Sequence, residues 1–162
     1  PDRGRTLLAV DGVDGSGKTT FAEELAGVLS RPAVVIHLDR FLNPRAIRYR
    51  RGRTSPEGFW LDSYDYAAIV GDVLEPISRE GSGWYREACH DLATDSALDL
   101  PPVRAPGDAV VIVEGLFLHR DELVSFWDSS IFLDVPFSET ARRMARRDGS
   151  NPDPEHESMG RY

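Results

Sequence analysis

The sequence predicts a three-layer α/β fold, a mainly parallel sheet with helices on both faces. Four short apolar runs are typical of buried strands, and segments with apolar residues at helical spacing alternate with them. Strands that are apolar on both faces are typical of a parallel sheet covered on two sides. With 162 residues, the chain suits one domain, which we place at 1–162.

The first half of the chain predicts two strands and one helix. Residues 6–11 form an apolar run that ends in glycines, which indicates a buried strand. Helical spacing of apolar residues predicts a helix over 20–29, which Pro32 ends. A second apolar run predicts a strand over 33–38. The polar stretch 40–62 has no clear period, and we predict a loop there.

The second half continues the alternation. Apolar spacing predicts a helix over 64–77, whereas 81–102 fits either a hairpin or an irregular excursion. Apolar runs predict a third strand over 109–113 and a fourth over 130–135. A last helix is predicted over 138–147, with its first serine as a candidate N-cap and arginines in its last turn.

Composition and charge argue against several classes of protein. The net charge is −8, so we expect neither nucleic acid nor an anionic membrane as a partner. The apolar runs are far too short to span a bilayer. A single cysteine, Cys89, excludes an internal disulfide and favours a reducing compartment, so we expect a cytoplasmic protein. We expect Cys89 and His37 to be structural, and homo-oligomerisation is left open.

A phosphate-binding motif follows the first predicted strand. Residues 12–19 read Gly-Val-Asp-Gly-Ser-Gly-Lys-Thr and fit G-x-x-x-x-G-K-[ST], whose glycines let backbone N–H groups converge on a phosphate at a helix N-terminus. Lys18 is the only lysine among 19 basic residues, and it is predicted to bridge the β- and γ-phosphates of ATP. The Thr19 hydroxyl is the predicted Mg²⁺ ligand. The predicted nucleotide-binding residues are Gly12, Asp14, Gly15, Ser16, Gly17, Lys18, Thr19 and Thr20.

Acidic residues close three of the four predicted strands, at Asp11, Asp39 and Glu114. Ligands of an open α/β sheet bind beyond the carboxyl ends of its strands, so we expect these carboxylates to face the phosphates. The Asn-Lys-x-Asp motif that reads guanine in small GTPases is excluded, because the motif already uses the only lysine. These observations favour phosphoryl transfer from ATP to a small hydroxyl acceptor.

The chain resembles the uridine kinase and phosphoribulokinase group of P-loop kinases. The resemblance rests on the phosphate loop, on Leu-Asp-Arg-Phe at 38–41, on Val-Glu-Gly at 113–115, and on 131–148 with its run of arginines. It implies a P-loop kinase domain with a lid region over 138–162 and an acceptor-side loop over 40–62. Such kinases usually continue into another helix and strand, so we expect the C-terminal end to be incomplete.

The resemblance also implies roles for individual residues. Asp39 would accept the proton of the attacking hydroxyl, and Glu114 would organise Mg²⁺ together with Thr19. Arg143 and Arg147 share one face of the last predicted helix, and we choose them as the lid pair that neutralises charge on the transferring phosphoryl group. The default acceptor of the group is a nucleoside such as uridine.

The acceptor residues match the family pattern less well. A tyrosine that uridine kinases carry near the catalytic aspartate is leucine here, and His90 stands at a tyrosine position of the base-contacting segment. The family's sugar-binding aspartate is not at its usual place, although Asp62 lies close by. The predicted acceptor residues are Asp39, Phe41, Phe59, Asp62, Tyr85, His90 and Asp91.

Two alternatives follow from this weaker match. Five arginines between 45 and 53 could bind an acceptor that carries phosphate or carboxylate, so a sugar phosphate, a pantothenate-like compound or another non-nucleoside alcohol is a second class of acceptor. The same arginines also fit a solvated basic loop. The other alternative is a regulatory module that binds nucleotide and has no acceptor chemistry.

Overall fold

A parallel four-stranded sheet forms the centre of the molecule in a computed structural model that describes residues 4–162; the first three residues of the predicted domain lie outside this range. In chain order the strands are β1 (Thr6–Gly12), β2 (Ala33–His37), β3 (Trp84–Tyr85), β4 (His90–Asp91), β5 (Ser96–Ala97), β6 (Val103–Arg104), β7 (Val110–Glu114) and β8 (Ser129–Leu133). The central order is β2-β7-β1-β8, and every neighbouring pair is parallel.

Helices cover both faces of this sheet, which confirms the three-layer α/β prediction. They are α1 (Lys18–Val28), α2 (Arg45–Arg48), α3 (Pro56–Asp62), α4 (Tyr66–Ala68), α5 (Glu75–Ile77) and α6 (Phe137–Asp148). A π-helical segment, Ile69–Leu74, joins α4 to α5, and short 3₁₀ helices span Leu38–Phe41, Val124–Phe126 and Glu157–Met159. Within the described residues, no helix combines the length and apolar character that crossing a bilayer requires.

Two apolar clusters hold the sheet between its helical layers. On one face, Ala22 of α1 packs against Val10 and Ile112, all fully buried. The larger cluster lies on the other face, where Ile69 and Val73 of the π-helical segment pack with Val111 of β7. Residues on successive positions of β1 and β7 are buried on both faces, as a central parallel strand requires.

The strand register brings charged residues to one edge. Val10 of β1 and His37 of β2 both pair with Glu114, the last residue of β7. The phosphate loop leaves β1 at the same edge, because β1 ends at Gly12. The carboxyl ends of three strands therefore meet around the phosphate loop.

Three local predictions were wrong. The stretch 40–62 is not a loop throughout: it contains α2 and α3, and α3 begins where the Ser55 hydroxyl accepts a hydrogen bond from Gly58 N at 3.0 Å, with Pro56 as its first residue. The last helix begins after Pro136, and Ser138 lies inside its first turn without capping it. The helix predicted from residue 64 starts at Tyr66, where the Asp65 carboxylate caps it.

The ambiguous stretch 81–102 forms two small ladders. The strands β4 and β5 pair as an antiparallel hairpin, and β3 pairs with β6 across that hairpin. Asp95 in the hairpin turn adopts a left-handed φ of 56°. The hairpin alternative was therefore the right one for β4 and β5.

Candidate active site

The phosphate loop forms a tight turn between β1 and α1. Gly15 has a φ of 75°, and a Cβ on it would lie 2.9 Å from the carbonyl oxygen of Thr140 in α6. Gly17 precedes α1 with a φ of 96°, a left-handed conformation that residues with side chains rarely adopt. These glycines let the loop turn its N–H groups outward while α6 lies directly against it.

Lys18 is folded back onto this loop. Its Nζ donates a hydrogen bond to the carbonyl oxygen of Val13 at 2.8 Å, and only 8% of the residue is exposed. Burial lowers the pKa of Lys18, and nearby carboxylates, Asp14 first, partly oppose that shift. The ammonium group therefore lies against the loop, with a backbone carbonyl oxygen as its hydrogen-bond partner.

Glu114 accepts hydrogen bonds from two elements. Its Oε1 accepts from the Thr19 hydroxyl at 3.1 Å and contacts His37 Nδ1 at 2.7 Å. Glu114 is 5% exposed, and its contact with His37 raises the pKa of that imidazole. The carboxylate of β7 is thus fixed beside the first turn of α1.

Asp39 lies at the end of β2 in the first turn of a 3₁₀ helix. Its Oδ1 accepts a hydrogen bond from the Tyr64 hydroxyl at 3.0 Å. Burial raises the pKa of Asp39 above its usual value, and the hydrogen bond from Tyr64 partly opposes this shift. A carboxylate with a raised pKa that lines a cavity is a suitable proton acceptor near neutral pH.

The arginines of α6 divide between two faces. Arg143 Nη1 donates to the carbonyl oxygen of Ser16 at 3.3 Å, and Arg147 Nη1 contacts Asp14 Oδ1 at 3.2 Å. Both side chains line the cavity beside the phosphate loop. Arg143 and Arg147, the chosen lid pair, therefore lie on the face of α6 that is turned toward the loop.

One cavity of about 320 Å³ brings these groups together. Its lining includes the ammonium, hydroxyl, carboxylate and guanidinium groups just described, which belong to Lys18, Thr19, Asp39, Glu114, Arg143 and Arg147. Asp14, Gly15, Gly17 and Thr20 complete the phosphate side, while Leu116 borders the opposite side. Cations that can bind phosphates and a carboxylate that can take a proton thus face the same space.

Several known proteins that are similar to this chain are kinases. No protein-family model matches the chain. Human nicotinamide riboside kinase 1 is 29% identical over 156 residues, which is 91% of this chain and 67% of the human protein. Mouse nicotinamide riboside kinase 2 is 28% identical over 155 residues, 93% of this chain and 72% of the mouse protein.

Two solved structures that are similar to the chain are also described as kinases. A possible uridine kinase from Bacillus stearothermophilus superposes with a TM-score of 0.73 at 26% identity, covering 86% of this chain and 76% of that one. These relatives and structural neighbours support a uridine kinase-like P-loop kinase family for the chain. A putative fructose transport system kinase from Silicibacter has a TM-score of 0.72 at 28% identity, covering 98% and 79%. The kinase is accordingly an ATP-dependent phosphotransferase with a hydroxyl acceptor.

A second, larger cavity of about 590 Å³ adjoins the first in this kinase. Asp14 and Leu116 line both cavities, so the two spaces share a border. Apart from Asp14, none of the charged residues that line the smaller cavity also lines the larger one. The charged residues Asp11, Arg120 and Arg161 line it together with six aromatic residues, which are Phe59, Trp60, Phe117, Phe132, Phe137 and Tyr162.

Phe59 is the only predicted acceptor residue, apart from Asp39, that lines either of these two cavities. Phe41 and Tyr85 are buried in the main apolar cluster of the kinase. The Asp62 carboxylate is paired with the guanidinium groups of Arg50 and Arg51, which keep the pKa of Asp62 below its usual value. Packing and ion pairs therefore occupy the side chains of Phe41, Tyr85 and Asp62, three of the predicted acceptor residues.

The hairpin residues of the kinase are likewise engaged elsewhere. His90 is 4% exposed, with its Nε2 3.1 Å from Asp95 Oδ1. The Asp91 carboxylate accepts a hydrogen bond from Ala93 N at 2.8 Å and so stabilises the hairpin turn. Ser16, from the nucleotide-binding prediction, is a buried residue of the phosphate loop, and no described residue bonds its hydroxyl oxygen.

Two residues of the site were missed in the sequence. Tyr64 bonds the Asp39 carboxylate from across the 3₁₀ helix, and nothing in its local pattern separates it from a core aromatic residue. His37 was assigned to the structure of its strand, yet it contacts Glu114. Aligning the carboxyl ends of β2 and β7 would have placed these two residues side by side, because they are partners in the sheet.

Proposed function

We propose that this kinase transfers the γ-phosphoryl group of ATP to a hydroxyl group of a nucleoside. One observation carries the proposal: the Lys18 ammonium and the Asp39 carboxylate line the same cavity beside the phosphate loop. The first group suits the phosphates of the donor and the second suits the proton of the acceptor. The relatives named as nicotinamide riboside kinases and a possible uridine kinase support a nucleoside as the acceptor.

The phosphates are held by the loop and the lid. Backbone N–H groups of residues 12–20 and the N-terminus of α1 attract the β- and γ-phosphates. Lys18 exchanges the Val13 carbonyl oxygen, its present partner at 2.8 Å, for the phosphate oxygens. Arg143 and Arg147 add charge from α6 and stabilise the oxygens of the transferring group.

Asp39 acts as the general base. The acceptor oxygen forms a bond to the γ-phosphorus, and the bond from this phosphorus to the bridging oxygen of ADP breaks. The hydroxyl proton goes to the Asp39 carboxylate, where Oδ2 receives no hydrogen bond from a described residue while Oδ1 is held by Tyr64. Burial favours the protonated product because it raises the pKa of Asp39.

The donor set suits Mg²⁺. The Thr19 hydroxyl and the Glu114 carboxylate are hard oxygen ligands, lie 3.1 Å apart and line the phosphate cavity. Mg²⁺ in such sites is held by one or two protein oxygens together with phosphate oxygens. This agrees with the described residues, which contain no group of three or more His, Cys, Asp or Glu able to hold a metal alone. When bound, the ion neutralises charge on the β- and γ-phosphates.

The aromatic cavity supports an acceptor with a planar ring. It borders the phosphate cavity at Leu116, whose N–H points to the Tyr64 hydroxyl at 3.4 Å. A base packed against Phe59 and its aromatic neighbours would leave the ribose near Asp39. Nicotinamide riboside is the first candidate and uridine the second, since curated relatives and a solved structure bear these names.

A sugar-type alcohol is the second candidate. The Silicibacter structure, a putative fructose transport system kinase, covers 98% of this chain. Moreover, most residues expected to contact a nucleoside lie outside both cavities. A smaller acceptor without a base would need only the phosphate cavity and Asp39.

Measuring ADP release with a panel of acceptors tests the proposal. The panel contains nicotinamide riboside, uridine, fructose, a sugar phosphate and pantothenate, each with ATP and Mg²⁺. We expect the highest kcat/KM with a nucleoside, and we expect Phe59→Leu to raise KM for that nucleoside but not for fructose. Faster turnover of fructose would favour the sugar alternative. ADP release no faster than ATP hydrolysis with every acceptor would contradict the proposal and favour a regulatory nucleotide-binding module.

A further inference from the structure

The His37 imidazole contacts the carboxylate of Glu114, a residue proposed above to organise Mg²⁺. It is the last residue of β2, and its partner in the parallel register is Glu114, the last residue of β7. The imidazole Nδ1 is 2.7 Å from Glu114 Oε1. Because a carboxylate only accepts hydrogen bonds, Nδ1 carries the proton in this contact, whether the ring is neutral or charged.

The hydrogen bonds to Glu114 are distributed unequally. Both His37 and Thr19 donate to Oε1, whereas no described residue donates to Oε2. One oxygen is therefore fixed by two donors, and the other is left for the phosphate cavity that Glu114 lines. A carboxylate held on one side in this way keeps a fixed plane instead of rotating about its last bond.

The two donors are not equivalent. Thr19 is itself a proposed Mg²⁺ ligand, so its hydroxyl must adjust when the nucleotide binds. His37 has no such second task, and it is attached to a strand of the central sheet whose neighbour carries Glu114. The imidazole is thus the donor that can hold Glu114 while Thr19 turns to the ion.

We propose that His37 is a positioning residue that orients the Glu114 carboxylate for Mg²⁺-bound nucleotide. This inference rests on the proposed function, because it takes Glu114 and Thr19 as the residues that hold the ion. His37 lines neither the phosphate cavity nor the aromatic cavity, so it would act through Glu114 alone. Partners of this kind, which bond a metal-ligating group, change metal affinity about 10- to 100-fold when they are removed.

The test measures ADP binding by calorimetry, with and without Mg²⁺, so it needs no acceptor. The quantity compared is the gain in ADP affinity that Mg²⁺ produces. His37→Ala and His37→Phe both remove the donor, and the second keeps a ring of similar size. His37→Asn retains an N–H donor close to the position of Nδ1. Thermal unfolding of each variant identifies those that remain folded.

We expect the Ala and Phe variants to lose about tenfold or more of the Mg²⁺-dependent gain, with little change in ADP affinity without Mg²⁺. The Asn variant should retain most of the gain. His119→Ala is a matched control, because His119 Nδ1 makes a similar contact of 2.8 Å with the carboxylate of Asp11, and its Mg²⁺-dependent gain should equal that of the parent.

The outcomes separate this inference from the proposed function. An unchanged gain in a folded Ala or Phe variant would overturn the role of His37 and leave the kinase proposal intact. An equal loss of affinity with and without Mg²⁺ would also overturn it, since that is the effect of a purely structural residue. If no acceptor were phosphorylated but the variants still lost the gain, the acceptor proposal would fail and the role of His37 would stand.

Discussion

The phosphate side and the acceptor side of this kinase differ in how their predicted residues are placed. On the phosphate side, Lys18, Thr19 and Glu114 line one cavity, as their positions in the sequence suggested. On the acceptor side, Phe41 is in the core and Asp62 is in an ion-pair cluster. On the acceptor side, packing and ion pairs thus occupy residues that fitted the family pattern. On the phosphate side, such residues face a cavity.

The difference follows from how each side is built. The phosphate loop is eight contiguous residues between a strand and a helix, so local geometry alone positions its N–H groups and Lys18. The aromatic cavity proposed for the acceptor is lined by α3, the segment after β7, β8, α6 and Tyr162, whose relative positions depend on tertiary packing. Spacing in the sequence carries little information about such an assembly.

The largest expected effect concerns Asp39. Replacing it with asparagine removes the proton acceptor but keeps the hydrogen bond that Tyr64 donates, so kcat should fall about 10²- to 10⁴-fold while ATP affinity is retained. Single-turnover transfer and nucleotide binding measure the two quantities. Asp91→Asn is the matched control on the acceptor side and should leave kcat near the parent value. An equal loss of binding and turnover in Asp39→Asn would reassign Asp39 to the fold.

Lys18 gives the next largest effect. Lys18→Ala should lower the transfer rate about 10²- to 10³-fold, because the developing charge on the phosphates loses a direct partner. Lys18→Arg should not restore the rate, since a planar guanidinium cannot occupy the place of a compact ammonium inside the loop. Steady-state ADP release with the best acceptor decides both. Full activity of Lys18→Ala would contradict the proposed role of the phosphate loop.

The pH dependence of kcat/KM should show a smaller effect, which depends on Asp39. Burial raises the pKa of Asp39 above its usual 3.8, so the acid limb of kcat/KM should lie at higher pH than an ordinary aspartate would give. Between the two values the folded chain keeps a proton that the unfolded chain has lost, so stability falls as pH rises through that window. Asp39→Asn should therefore remove the acid limb and raise the unfolding temperature at neutral pH. An acid limb at the usual aspartate value would contradict this account.

The smallest effect on activity is expected at Asp62. Its carboxylate is paired with Arg50 and Arg51, which lower its pKa, so its contribution to stability is lost as pH falls through the folded-state value. Asp62→Asn should lower the unfolding temperature and leave the acceptor KM unchanged. Glu57→Gln, at the exposed carboxylate 3.4 Å from Arg51, is the control and should change neither. A selective rise of acceptor KM in Asp62→Asn would return Asp62 to the acceptor site.

The sequence predicted the central sheet, α1 and α6, and it placed Lys18 and Thr19 in a loop that lines one cavity, because each depends on a local pattern. Even Arg143 and Arg147 could be chosen from the helical period alone. The sequence did not predict α2 or α3. These helices are short, and α3 begins at a cap formed by Ser55. Tyr64 and His37 were missed for a related reason, since each reaches the site only through a partner distant in sequence.

A crystal structure of the kinase with Mg²⁺ and a non-hydrolysable ATP analogue tests the central claim most directly. We predict that the triphosphate lies on the N–H groups of the loop at residues 12–19. Lys18 Nζ should have left the Val13 carbonyl oxygen for a phosphate oxygen, with Asp39 facing the γ-phosphate across the cavity. A nucleotide bound elsewhere, or one bound at the loop while Lys18 stays on Val13 and Asp39 points away from it, would contradict the account.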